Sequence, residues 1–354
     1  MRRLAAGVAV VALIGLAAST AHADDTKVLF QFQDDRITES SGLAASAGHA
    51  GIVYTHNDSG HPPQVFAVDE SNGKTVATLT LAGAPDRDWE AISQCKENGT
   101  DVVWVGDIGD NINAWKTYRL LEFAEPAKLK DHNVAWTEYD FRYADGKARN
   151  AESLLCDPRD GRLYVVSKEA ADVAGVYRGP KTLSSKAVNV FTKIASAPAT
   201  VTDGAFFAGG KFAVVRGYFD AQILSPAAGW KSVVTFTPPI QIQGESVAET
   251  ADGKDLLFGS EGVGSSVWFV PIPAEVSKIP NSPISEQDAK DAAKSKAKDA
   301  AKAAKNAKNK AGDAKNAAKR VNHDGIPGVD GPVVALFSAL GLGILVLVLM
   351  TRRD

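Results

Sequence analysis

Asp88-Trp89-Glu90-Ala91-Ile92-Ser93 sets acidic residues ahead of a short apolar strand, and four other segments repeat the pattern. They are Glu39-Ser40-Ser41-Gly42-Leu43-Ala44, Asn150-Ala151-Glu152-Ser153-Leu154-Leu155, Thr202-Asp203-Gly204-Ala205-Phe206-Phe207 and Gln243-Gly244-Glu245-Ser246-Val247-Ala248. Successive segments lie about 50, 62, 51 and 42 residues apart, close to one four-stranded propeller blade each. Each leads into a Gly-bearing turn and a second strand, such as Gly51-Ile52-Val53-Tyr54 or Gly161-Arg162-Leu163-Tyr164-Val165-Val166. Two more strand-like pieces complete most units, and no segment reads as a long amphipathic helix, so the fold class is all-β. The last unit is short of a fourth strand, whereas Lys27-Val28-Leu29-Phe30-Gln31-Phe32 stands before the first unit without a partner. Pairing the two would close a ring and remove two sheet edges. The expectation is a β-propeller of five blades closed by its N-terminal strand. Six blades follow if the long second unit hides another, and a β-sandwich is the alternative.

In a propeller the first strand of each blade lines the channel, and the second returns to the same mouth roughly 13 to 17 residues later at a rise of ~3.3 Å per residue. From Glu90 the return falls at Gly106-Asp107-Ile108-Gly109-Asp110-Asn111, and from Ser41 at His56-Asn57-Asp58-Ser59-Gly60. Glu152 leads to Lys168-Glu169, Asp203 to Arg216, and Glu245 to Ser260-Glu261-Gly262. One mouth is thus expected to gather Glu90, Asp107, Glu152, Asp203, Glu245 and Glu261 as candidate metal ligands. Asn57, Asp58, Asp110, Asn111, Lys168 and Arg216 would surround them as ligand-binding residues. Carboxylates brought together must be protonated, matched by cations or bridged by a metal. Hard oxygen donors fit Ca²⁺ best, and Mg²⁺ or Mn²⁺ less well. Two other uses stay open: capping of the next blade through backbone N–H groups, and a metal-free acid/base pair.

Other chemistry is sparse. Ser59 sits in no Gly-x-Ser-x-Gly elbow, and the histidines show no zinc spacing. Trp89, Trp104, Trp115, Tyr118 and Tyr218 read first as blade packing. Cys95 and Cys156 follow the acidic residues of consecutive first strands by five and four positions. They are expected near the far end of neighbouring inner strands as a disulfide, with two buried thiols as the alternative.

The ends of the chain point to export. Met1-Arg2-Arg3, an apolar run to Ala18 and Ala21-His22-Ala23 read as a signal peptide over 1–23, leaving an ectodomain over 24–280. Residues 281–331 form an Ala/Lys-rich tether, read as partly helical and solvated because it offers no apolar stripe wider than alanine. Over 285–320 there are 11 basic and 5 acidic residues, a net of +6; the whole chain carries −3, so the remainder sums to −9. An acidic head on a basic stalk follows, and the stalk could meet anionic lipid or a cell-wall polymer. Nucleic acid is not an expected partner of an exported chain. Val333 to Met350 is free of charge and is followed by Arg352-Arg353, which reads as a transmembrane helix over 332–351 with a cytoplasmic tail at 352–354.

Ser41-Gly42-Leu43, His56-Asn57-Asp58-Ser59-Gly60, Asp88-Trp89-Glu90-Ala91-Ile92, Gly106-Asp107-Ile108-Gly109-Asp110-Asn111, Asn150-Ala151-Glu152 and Gln243-Gly244-Glu245 together resemble secreted bacterial propeller proteins of the WD40-like or esterase-like phytase type. The resemblance spans most of 27–275 and implies a propeller fold, with Ca²⁺ in the channel or phosphate-ester cleavage in some members. Two functions are therefore expected. The first is a cell-surface module whose acidic mouth binds a cation and an extracellular ligand or protein. The second is a metal-dependent hydrolase of phosphoesters or lactones, with Glu90 or Glu245 as base.

Overall fold

A computed structural model describes residues 26–279, together with the backbone of 336–340 and 343–347. The signal peptide, the tether and the cytoplasmic tail expected above lie outside the described residues.

Strand β1 (Lys27–Gln31) precedes a first unit of β2 (Ser40–Ala45), β3 (Ile52–Asn57), β4 (Gln64–Asp69) and β5 (Lys74–Thr80). The second unit holds β6 (Trp89–Glu97), β7 (Thr100–Asp107), β8 (Tyr118–Ala124), the short β9 (His132–Asn133) and β10 (Trp136–Tyr143). The third contains β11 (Ala151–Cys156), β12 (Leu163–Ser167), β13 (Gly175–Arg178) and β14 (Asn189–Ser196). In the fourth are β15 (Asp203–Phe206), β16 (Ala213–Arg216), β17 (Ala221–Ser225) and β18 (Lys231–Phe236). The fifth has β19 (Ser246–Glu249), β20 (Asp255–Gly259) and β21 (Ser266–Pro271), followed by one helical turn, α1 (Ala274–Ser277). The described domain is all-β.

The turn between the first two strands of every unit carries a left-handed glycine: Gly51, Gly99, Gly161, Gly210 and Gly253 all have φ between +65° and +86°. In the second unit Asn98 joins Gly99 at positive φ, so Asn98-Gly99 makes the two-residue hairpin whose twist matches its strands. This turn keeps each inner hairpin tight.

The fifth sheet has the order β1-β21-β20-β19, with Lys27 facing Phe269 and Gln31 facing Ser266, so the N-terminal strand supplies the fourth strand of the last unit. The extra length of the second unit supplies no further inner strand. Its segment 125–135 contributes β9, which pairs in parallel with β5 of the first sheet. Strand β10 pairs in parallel with β14, which merges the second and third sheets into one of eight strands at their outer edges.

The first strands lie side by side in a cycle: β2 beside β6, β6 beside β11, β11 beside β15, β15 beside β19, and β19 beside β2. Apolar cores fill the spaces between successive sheets. Tyr54, Leu79, Trp89 and Phe123 pack between the first two, and Trp104, Tyr118, Phe141 and Phe191 between the second and third. Phe30, Leu43, Phe66 and Leu257 join the fifth to the first.

Where the C-terminal apolar stretch is described, Leu336–Leu340 (β22) pairs antiparallel with Gly343–Leu347 (β23), in place of the helix expected over 332–351. The remainder of that stretch lies outside the described residues. Among the described residues no helix is long and apolar enough to cross a membrane.

Candidate acidic binding site

Three inner hairpins slip register by one residue at the same place. The ladder jumps between Ser40 and Gly42, between Trp89 and Ala91, and between Ala151 and Ser153. The residues left out are Ser41, Glu90 and Glu152. A bulge of this kind frees one residue from the ladder and re-aims its side chain, which is why bulges recur beside binding sites. In the fourth unit the ladder is regular, with Asp203 opposite Arg216.

Glu90 meets two further carboxylates. Asp58 follows β3, Asp88 lies just before β6, and one oxygen from each of Asp58, Asp88 and Glu90 falls within 4.8 Å of the others. Ser41 Oγ donates to Glu90 Oε2 at 2.9 Å, and Asn111 Nδ2 to Asp88 Oδ2 at 3.1 Å. Gly109 lies against both acids: a β-carbon there would come within 2.6 Å of Glu90 Oε1 and 2.7 Å of Asp88 Oδ2. Burial, then the charges of Glu152, Asp58 and Asp88, push the Glu90 carboxyl well above its ordinary range. Burial and the Asp58 carboxylate raise Asp88 to about 7.

A second group faces this trio. Lys168 Nζ lies 2.6 Å from Glu152 Oε2 and donates to the Tyr218 hydroxyl at 2.8 Å, and that hydroxyl donates to Glu245 Oε1 at 3.0 Å. Burial lifts Glu152 to about 8 even against the pull of Lys168, and burial also raises Glu245. Glu261 is raised to about 7 by burial and then by Glu245, Asp58 and Glu39. The fields of Glu245, Glu261 and Asp58 thus overlap, with Lys168 as a counter-charge.

The other expected site residues stand apart, held by protein donors. Asp107 is fully buried; it accepts from the backbone N–H groups of Arg87 and Asp88 and pairs with the guanidinium groups of Arg87 at 3.1 Å and Arg119 at 3.2 Å. Asp203 accepts from Gly204 N at 2.7 Å and from Val247 N of the next inner strand at 2.8 Å, the capping role. Asp110 accepts from Ala114 N, Trp115 N and the Tyr118 hydroxyl. Asn57 accepts from Thr38 N and Glu39 N and donates to Arg36 O. Arg216 is 1 % exposed and donates to Gln241 Oε1, Ser246 O and Gly259 O, joining elements of the fourth and fifth units. His56 is buried with Nδ1 donating to Asn57 O, and His61 pairs with Glu39 at 2.8 Å.

Sequence reasoning named Asp88 only as part of the repeat, used Ser41 only to mark where the first inner hairpin starts, and took Tyr218 for packing. A signal existed for each. Asp88 and Glu90 share the acidic start of β6, Ser41 holds the place in the first unit that Glu90 holds in the second, and Tyr218 follows the return point at Arg216 by two residues.

The far ends of the inner strands border a cavity of about 430 Å³, lined by Ala45, Cys95, Cys156, Phe206 and Glu249 among others. The disulfide Cys95–Cys156 joins β6 to β11 there. The acids and this cavity therefore occupy opposite ends of the first strands. No protein-family model matches the chain, nor does any of the curated proteins with which it was compared.

Proposed function

We propose that the described domain is a five-bladed β-propeller, displayed outside the cell as a binding module whose acidic mouth holds a divalent cation, calcium by the chemistry of its donors. The observation that carries the reading is the convergence of Asp58, Asp88 and Glu90 within 4.8 Å without a cationic side chain paired to any of the three. Carboxylate oxygens alone form a hard donor set, and a bound cation would relieve the repulsion that now raises Asp88 and Glu90. The cyclic contact of five first strands supports the blade number, with the sixth blade disfavoured because the long second unit adds β9 to another sheet. The Cys95–Cys156 bond supports an oxidising compartment, in line with the signal-like start of the chain. Membrane attachment through the apolar stretch near the C-terminus belongs to the same proposal.

Thermal melts with Ca²⁺ and with EDTA test the cation, and pH adds a second axis. Asp88 rises from 3.8 to about 7 and Glu152 from 4.5 to about 8 in the folded metal-free protein. A raised carboxyl favours folding below its unfolded value, and that contribution is lost as pH climbs through the folded value. In EDTA the domain should therefore lose stability between about pH 4 and pH 8. Calcium needs the ionised acids, so its stabilisation should be larger at pH 8 than at pH 5. At a hundredfold excess over Kd it should reach about 2.7 kcal/mol at pH 8. Melts indifferent to both Ca²⁺ and EDTA would count against the cation.

Gly109→Ala offers a sharper test. The new methyl group would also fall 2.7 Å from Glu90 Cγ, in a buried side chain, so stability should fall by roughly 1–3 kcal/mol while calcium affinity falls at least about tenfold. Calorimetric titration with calcium reads both outcomes apart from the melts, and unaltered affinity would remove Glu90 and Asp88 from the donor set. Turnover of a phosphoester or lactone that EDTA abolishes would favour the hydrolase instead.

A further inference from the structure

Four large apolar side chains stand almost wholly in solvent: Phe219 is 87 % exposed, Ile240 96 %, Ile242 104 % and Val263 61 %. Singly exposed residues are ordinary, but a contiguous apolar patch marks an interaction site. These four lie on three loops at the acidic end of the strands: 217–220 between β16 and β17, 237–245 between β18 and β19, and 260–265 between β20 and β21. Hydrogen bonds tie the loops together. Tyr218 donates to Glu245 at 3.0 Å, Ser260 Oγ to Gln243 O at 2.7 Å, and Glu261 N to Gln243 O at 3.0 Å.

The display has a local cause. The Gln241 side chain turns inward, donating to Phe258 O and Ser266 O and accepting from Arg216 Nη1 at 3.0 Å. Ile240 and Ile242 flank this inward anchor, Ile242 at the start of the turn 242–243, and both side chains are left in solvent.

Charge and chain direction narrow the occupant. The three loops contain Asp220, Glu245 and Glu261 and no lysine or arginine, and the neighbouring Lys168 is already paired with Glu152. Anionic head groups would be repelled, whereas a basic segment is complementary. The domain's own chain departs from the other end: β21 runs away from the 260–265 loop, and Val276 of α1 packs with Phe207 and Phe212 in the turn between β15 and β16.

We propose that Phe219, Ile240, Ile242 and Val263, flanked by Asp220 and Glu261 on the same loops, dock an extended segment of another protein in which lysine or arginine alternates with bulky apolar residues. The proposal deepens the binding-module reading, and rests on it in taking this end as the recognition face, without requiring that a cation be bound. Apolar contacts supply the affinity and the acids select the sign of the partner's charge.

The test uses the full chain and a fluorescein-labelled octapeptide alternating lysine and leucine, followed by anisotropy. Saturable binding is expected, weakened at least about tenfold by Phe219→Ser with Ile240→Ser and again by Glu261→Gln. An octapeptide alternating glutamate and leucine should not bind. Both apolar targets are exposed and Glu261 is half-buried, so the variants are expected to fold, and circular dichroism checks this. Unchanged affinity in Phe219→Ser/Ile240→Ser, or equal binding of the acidic peptide, would overturn the proposal. So would self-association of the chain, or retention on phosphatidylserine vesicles, that disappears in the same variant. Calcium titration of the same samples separates the two readings. Asp88→Asn should abolish the calcium response and leave peptide affinity within about twofold. Loss of peptide binding alone sinks this inference, and loss of both responses sinks the recognition face.

Discussion

Replacing Arg216 by alanine should destabilise the domain by roughly 3–5 kcal/mol, the usual cost of leaving buried charge unpaired. Its guanidinium donates to Gln241 Oε1, Ser246 O and Gly259 O from a position 1 % exposed, so truncation would take a donor from two buried backbone carbonyls at once, leaving Gly259 O only the long bond from Glu245 N at 3.3 Å. It would also strip Asp203 and Glu245 of a neutralising neighbour. All three bonds leave from Nη1 alone, so a lysine that brings its ammonium to that point should recover part of the loss. Urea unfolding of the wild type, Arg216→Ala and Arg216→Lys measures the cost directly. A loss below about 1 kcal/mol would mean that this side chain is held for a ligand rather than for the fold.

Removing the disulfide should cost a similar amount. Cys95 and Cys156 are 61 residues apart, and a loop of that length stabilises by about 4 kcal/mol in the chain-entropy model. For a domain of this size each kcal/mol shifts the melting temperature by about 2–4 °C, so Cys95→Ala/Cys156→Ala should melt roughly 10 °C lower. Both alanines fit the space already occupied by the sulfurs, and the bond lies at the cavity end of β6 and β11, away from Glu90 and Glu152. Calcium binding should therefore persist where the variant is folded. Equal melting of the wild type with and without a reducing agent, with reduction verified by thiol titration, would show that the ring is held by packing alone.

The inner hairpins were legible because two local rules coincide in them: an apolar strand of fixed length and a glycine at positive φ. Gly51 and Gly161 mark their turns in the sequence itself. The missing fourth strand of the last unit could likewise be assigned to Lys27–Gln31, since an unpaired strand and an unfinished sheet are complementary needs. The outer strands were harder to read. The parallel pairing of β10 with β14 and of β5 with β9 joins residues whose local sequences carry no mark of each other.

At the site, residue type was readable and duty was not. Asp107 and Glu90 both sit where a strand meets the mouth, yet Asp107 is bound by two arginines while Glu90 faces other acids. The difference lies in Arg87 and Arg119, which reach Asp107 from neighbouring chain segments, and in a one-residue slip that no composition reveals. Asp203 shows the converse: a regular ladder keeps it turned to Val247 N, where it serves the backbone. Which acids a bulge frees is a property of register, and register depends on the partner strand.

The pairing of Lys27–Gln31 with Ser266–Pro271 has a temporal consequence, because β1 is the first strand of the five units to be made and its partner β21 the last of them. At roughly 5–20 residues per second, the opening strand waits on the order of tens of seconds for synthesis to reach residue 266. Throughout that interval the nascent polypeptide has one long-range contact that it cannot make, and contacts of such high sequence separation are the slow ones in folding. The fifth sheet therefore stays without its closing pair until β21 has been made, while the four units before it need nothing from that strand.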